Sequence, residues 1–174
     1  AERARALADI RFLINTHGAA GVDLWDPYLS AEDLLKPFFW YTPSDEPLRA
    51  ITDVRSPPKS SLPISTSETD QVQPLKSFAE QQRDTLICDG GNRQRLRLEF
   101  RMRIGPEGWA FHDRFLIFPN LPEGPAAWSL GTSVNHLGKA HHILQKVSNA
   151  TLVEGAFEDL RTEIREPCHL VRRS

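Results

Sequence analysis

The chain has 174 residues, 40% of them hydrophobic and 25% charged, with 21 lysines and arginines against 23 aspartates and glutamates. That length fits one domain with an apolar core, and the near balance of charge excludes a protein that coats polyanions through its overall field, so a nucleic-acid site has to be a local patch. Cys88 and Cys168 are too few for a disulfide framework and lack metal spacing, and no apolar run has the length of a membrane span, so a cytoplasmic protein without integral membrane association is expected.

The opening ERARALADIRFLINTHG spaces Ala6, Ile10, Leu13 and Ile14 on one helical face and ends at Gly18, a charged helix rather than a secretory signal. A chain that opens in mid-helix and carries Met102 as its only methionine is expected to be a piece of a longer or trimmed polypeptide. AGVDLWDPYLS predicts a strand ending at Asp26 and Pro27, and SAEDLLKPFFW a helix whose start is capped by Ser30 with Asp33 completing a capping box. LRAITDVRS predicts a second strand. Residues 55–74, rich in Ser, Pro and Thr without apolar periodicity, predict a flexible loop inside the domain. LKSFAEQQRDTLI predicts a helix.

Three strands then follow in quick succession, NRQRLRLEFRMRI, WAFHDRFLIF and AAWSLGTSV, separated by the turn-rich GPEG and PNLPEGP. AHHILQKV predicts a further short strand, and ATLVEGAFEDLRTEI a helix with Leu152, Ala156, Phe157 and Leu160 on one side. Strands between helices at both ends of the chain define an α/β fold, a mixed β-sheet flanked by helices.

The first strand of the trio alternates sharply. Arg93, Arg95, Arg97, Glu99, Arg101 and Arg103 fall on one face, opposite Leu96, Leu98, Phe100, Met102 and Ile104. Such a ribbon tracks a phosphate backbone in one reading, with Arg95 and Arg97 as contacts, and is an exposed face or guarded edge strand in the other.

The second strand sets His112 and Arg114 on a common face with Asp113 on the opposite one. Histidine titrates near neutrality and serves as nucleophile or acid, and arginine offers a fork of donors to phosphate oxygens. The alternative is a structural histidine beside an arginine paired to a carboxylate. Alternation along GTSVN puts Gly131, Ser133 and Asn135 on one face, so if the strands pair, His112, Arg114, Ser133 and Asn135 converge.

Around them, Asp26 and Tyr28 of WDPY are either orienting groups in the same pocket or a turn leading into a helix, and His136 and Lys139 extend the rim. Lys146 is either part of a basic rim or simply solvated. His141 and His142 point to opposite sides of a strand and so do not share a metal, and Cys168 and His169 have no partner pair at zinc spacing. Ser133 lacks the following glycine of a hydrolase nucleophile elbow.

A histidine, any residue and a basic residue in an apolar strand, followed by a turn and then GTSVN, resembles the phospholipase D superfamily, whose motif is His-x-Lys-x4-Asp followed by Gly-Ser-x-Asn. The early strand ending in DPY, the later sheet and the C-terminal helix are also similar to one half of that fold. His-Asp-Arg itself resembles a bacterial subgroup found in multidomain defence proteins. Two positions depart from the motif: Arg114 stands for the lysine, and Pro119 for the aspartate.

The resemblance implies one phospholipase D-like domain over 1–174, acting on phosphodiesters without metal or other cofactor. It makes His112 the nucleophile or acid, Arg114 the stand-in for the lysine, and Ser133 and Asn135 ligands of the phosphate. Such a site takes two motifs, and this chain has one, so a second copy of the domain or another domain of the full-length protein completes it. Nucleic acid, DNA or RNA, is the expected partner and antiviral defence the expected setting. The competing expectations are a degenerate module for nucleic-acid binding or complex assembly, and a site for anionic lipid.

Overall fold

Helix α1 (Glu2–His17) turns Ala6, Ile10 and Ile14 inward at four-residue spacing and tightens into a 3-10 turn at Gly18–Ala20, where the periodicity ends. The computed structural model describes residues 2–38, 46–53, 77–90, 97–139 and 143–173. Strand β1 (Val22–Trp25) leads to α2 (Ala31–Phe38), which starts where expected: the Asp33 backbone N–H donates to Ser30 Oγ at 3.1 Å, and that hydroxyl donates to Asp33 Oδ2 at 2.7 Å. Strand β2 (Leu48–Asp53), α3 (Phe78–Gly90), β3 (Leu98–Arg103), β4 (Phe115–Phe118), β5 (Ala126–Ser129), β6 (Gln145–Lys146), α4 (Ala150–Glu163) and β7 (Leu170–Arg173) follow.

The protein is α/β, with a seven-stranded mixed sheet in the order β6-β5-β4-β1-β2-β3-β7 flanked by helices. β1, β2 and β3 are mutually parallel; β4, β5 and β6 continue the sheet antiparallel on one side, and β7 closes the other. Among the described residues, no helix is long and apolar enough to cross a membrane.

Period-two alternation divides the core in two. Val22, Leu24, Leu48, Ala50, Leu98, Phe100, Met102, Leu116 and Phe118 face one side and pack with residues of α1, α2 and α3. Trp25, Ile51 and Ile117 face the other and pack with Phe157 and Leu160 of α4. Each fully buried side chain of this size contributes about 1.5–3 kcal/mol. Leu152 departs from its expected place on the buried side of α4. It is 67% exposed in the first turn, while Val153, Ala156, Phe157 and Leu160 turn inward.

The face beneath α4 also carries charge. Arg49 holds Asp23 through Nε at 2.6 Å and reaches Glu158 with Nη1, and Glu99 accepts from Arg101 Nε at 2.8 Å, Arg161 Nη1 at 3.3 Å and Arg173 Nη2. Arg101 also donates to the Ile164 carbonyl at 2.8 Å, and Arg103 Nη1 donates to Asp53 Oδ1 at 3.2 Å.

The arginine ribbon is corrected accordingly. β3 lies between β2 and β7, so it is neither an edge nor an open face, and Arg101 and Arg103 are engaged inside the protein. The alternation holds, but α4 covers the charged side, and the arginines of β3 meet Glu99 of β3 itself, Asp53 of β2 and the Ile164 carbonyl just after α4 instead of solvent. Arg93 and Arg95 lie outside the described residues, as do the 55–74 segment, His141 and His142.

Candidate functional site

The three parallel strands end on one edge of the sheet, the position where α/β folds place ligands. Asp26 follows β1 there, Asp53 ends β2 and Arg103 ends β3. Because β4 runs antiparallel to β1, with Phe115 opposite Trp25, its start brings His112 and Arg114 to the same edge. β5 pairs Ser129 with Phe115, and the Leu130 N–H donates to the Arg114 carbonyl at 3.0 Å, which delivers the segment after β5 there too. Thus five chain segments meet.

The strands are shorter than expected, and that changes how the site is built. His112 and Arg114 precede β4 rather than lying within it, and β5 stops at Ser129, so Gly131, Ser133 and Asn135 do not share a strand face. Instead Gly131, with φ 64°, turns the chain, and Val134–His136 forms a 3-10 turn. Gly138, with φ 75°, closes the loop against α1: a β-carbon there would lie 2.3 Å from Arg3 Cα.

Asp26 organises this loop. It is fully buried, and its carboxylate accepts from Ser133 Oγ at 2.8 and 2.7 Å, the Val134 N–H at 2.8 Å and the Tyr28 N–H at 2.9 Å. Burial pushes its pKa above the ordinary carboxylate value, against the pull of the Tyr28, Ser133 and Val134 hydrogen bonds and the charge of Arg114. Asp26 is thus both the turn residue that WDPY suggested and the anchor of the opposite loop. The Asp53 N–H donates to the Pro27 carbonyl at 3.3 Å, tying the end of β2 to the same turn.

Ser133, expected as a phosphate ligand, is buried with its hydroxyl bonded to Asp26, where it anchors the loop. Asn135, half-buried, donates from Nδ2 to the Tyr28 carbonyl at 3.4 Å and meets His136 Nδ1 through Oδ1. Tyr28, His136 and Lys139 are exposed at this edge, the last two in and just after the loop.

Arg114 is half-buried. Its guanidinium carbon stands 5.5 Å from the centroid of the Tyr28 ring, and among the described residues no carboxylate forms a salt bridge with it and its buried Nε has no hydrogen-bond partner. The nearby Asp26 carboxylate is turned to Ser133, Val134 and Tyr28 instead. His112, two residues before Arg114, is exposed to solvent.

Other candidates lie elsewhere. Arg97 precedes β3 at the start of the parallel strands, the sheet edge opposite Arg114, and its carbonyl accepts from the Leu48 N–H at 2.8 Å; it is not brought to the site. Pro119 also sits on that opposite edge, with Cγ 3.7 Å from the β-carbon position of Gly21. Position 119 is about 17 Å of extended chain from Arg114, so an aspartate there would not orient His112. Lys146 lies over the Trp128 ring, 5.5 Å from its centroid. His169 is buried with Nδ1 3.0 Å from the Met102 carbonyl, a structural role. The described residues contain no group of three or more His, Cys, Asp or Glu side chains able to hold a metal.

No protein-family model, curated protein or solved structure matches this chain.

Proposed function

We propose that the chain is a phospholipase D-like domain that engages phosphodiesters at the strand-end site, with nucleic acid as partner and metal-independent nuclease activity as its function. The observation that carries this reading is the state of Arg114: a guanidinium that forms no salt bridge among the described residues, its charge felt by a buried Asp26 turned to other donors, next to an exposed histidine and an exposed tyrosine. An arginine in this state has charge and donors to offer a phosphate oxygen. The setting proposed for the full-length protein is bacterial defence, in the cytoplasm.

In the corresponding chemistry a ring nitrogen of His112 attacks phosphorus, forming an N–P bond as the P–O ester bond breaks. The leaving oxygen takes a proton from a second histidine; water then gives a proton back to that histidine as it attacks phosphorus, breaking the N–P bond, releasing the phosphate ester and restoring His112. Arg114 and the Asn135 amide stabilise charge on the phosphoryl oxygens. The second histidine comes from another copy of the domain or another domain of the full-length protein.

A binding module without cleavage is the second reading, favoured by the engagement of Ser133 with Asp26. Incubating the chain with labelled single-stranded DNA and RNA in EDTA separates the two. Cleavage is expected, falling about a thousandfold or more in His112→Ala while binding persists. Cutting that survives the substitution removes the nuclease assignment, and binding without cutting in either protein selects the module.

A further inference from the structure

Tyr28 combines a fixed backbone with a ring left in solvent. Its N–H donates to Asp26 Oδ1 at 2.9 Å and its carbonyl accepts from Asn135 Nδ2 at 3.4 Å, so both of its peptide groups are tied to the site, yet the residue is 45% exposed. The described residues give the ring one aromatic-type contact, the Arg114 guanidinium at 5.5 Å. With its backbone fixed, the residue has only side-chain torsions left to lose when another planar group stacks on the ring.

Distance links the ring to the phosphate site. In a stacked strand successive nucleotides rise by roughly 3.4 Å, so a base flanking a phosphate held by Arg114 falls within reach of a ring 5.5 Å from that guanidinium. Lipid head groups carry no such flat heterocycle, and in a duplex each base is already stacked and paired. Aromatic side chains beside a basic site are the platforms on which proteins hold unpaired bases.

We propose that the Tyr28 ring is a stacking platform for the base next to the bound phosphate, which makes the substrate a single-stranded nucleic acid rather than a duplex or a lipid. This rests on the reading of the Arg114 site as a phosphodiester site, and it adds a specificity-determining residue to it.

The test is fluorescence anisotropy of the whole chain in EDTA with a labelled oligothymidylate and an abasic strand of equal length and charge, using native protein, Tyr28→Phe and Tyr28→Ala. Both hydrogen bonds of Tyr28 are made by its backbone, so alanine keeps them, and thermal unfolding should be unchanged. Native protein and Tyr28→Phe are expected to bind oligothymidylate equally, Tyr28→Ala about tenfold more weakly, and the abasic strand to bind all three alike. Equal affinity of Tyr28→Ala and native protein for oligothymidylate, or an equal loss on the abasic strand, overturns the stacking role while leaving the phosphodiester site standing. If native protein binds neither strand, the phosphodiester reading itself fails. Binding only to vesicles of anionic phospholipid overturns both nucleic-acid readings.

Discussion

Replacing Asp26 by alanine is expected to lower the unfolding free energy by about 2–5 kcal/mol and to abolish phosphate binding at the strand-end site. The carboxylate is fully buried and accepts from Ser133 Oγ, the Val134 N–H and the Tyr28 N–H. Ser133 and Val134 are themselves buried, so each donor left without an acceptor costs about 1–3 kcal/mol, whereas the Tyr28 N–H lies near the surface and can turn to water. Losing these bonds also frees the segment that carries Asn135 and His136.

Asp26→Asn keeps the shape, but its amide nitrogen would face a donor, either Ser133 Oγ or the Val134 N–H, so it is expected to fall between alanine and the native residue. Because burial raises the Asp26 pKa in the folded state, the native carboxyl contributes most stability below the ordinary carboxylate value. That contribution falls as pH rises through the raised folded value, a slope that asparagine lacks. Urea unfolding of the three proteins measures the ranking. A stability of Asp26→Ala within about 0.5 kcal/mol of native would mean that the loop is not held by Asp26.

Glu99→Ala is expected to cost about 3–5 kcal/mol, because it strands Arg101, only 5% exposed, beneath α4 without its counter-charge. Burial pushes the Glu99 carboxyl up, but hydrogen bonds from Arg101 and Arg173 outweigh it and hold the pKa at about 2, below the ordinary 4.5. The folded carboxyl therefore stays ionised in acid where the unfolded one takes a proton. Its contribution, about 3 kcal/mol, is full above the ordinary value and is lost as pH falls from there to the folded value. The isosteric Glu99→Gln tests this sign: its deficit against native, measured by denaturant unfolding, should shrink between about pH 6 and about pH 3. A deficit that stays constant over that interval would place the stabilisation elsewhere.

The layers of the fold were legible because two periods ran through the sequence cleanly: Ala6, Ile10 and Ile14 for the first helix, and Leu98, Phe100 and Met102 for a strand. Strand ends were not, since the apolar and alternating residues of WAFHDRFLIF and AAWSLGTSV continue past the last ladder pair. Phe111 keeps the pattern going by packing on Trp25, 5.2 Å between ring centroids, without belonging to β4. β7 went unseen because LVRR is short and its pairing partner lies about seventy residues earlier, at Glu99–Arg101.

The site shows the same division. Chain order alone brought His112 and Arg114 toward the residues after β5, but nothing local marks Asp26 as their shared support, because the Val134 N–H it holds belongs to a loop 108 residues away. Burial inverted the arginine ribbon for a similar reason. Alternation places charges on one face of a strand without saying whether water or Arg161 and Ile164 of the C-terminal region will meet that face.

The central claim is that Arg114, His112 and the 131–138 loop form one phosphate site, and a titration with inorganic phosphate followed by NMR tests it most directly. Saturable shifts are predicted at the imidazoles of His112 and His136, the Arg114 guanidinium and the Asn135 side-chain amide, all vanishing together in Arg114→Leu. Shifts confined to Arg97 on the opposite edge of the sheet, or shifts at the histidines that persist in Arg114→Leu, would contradict it.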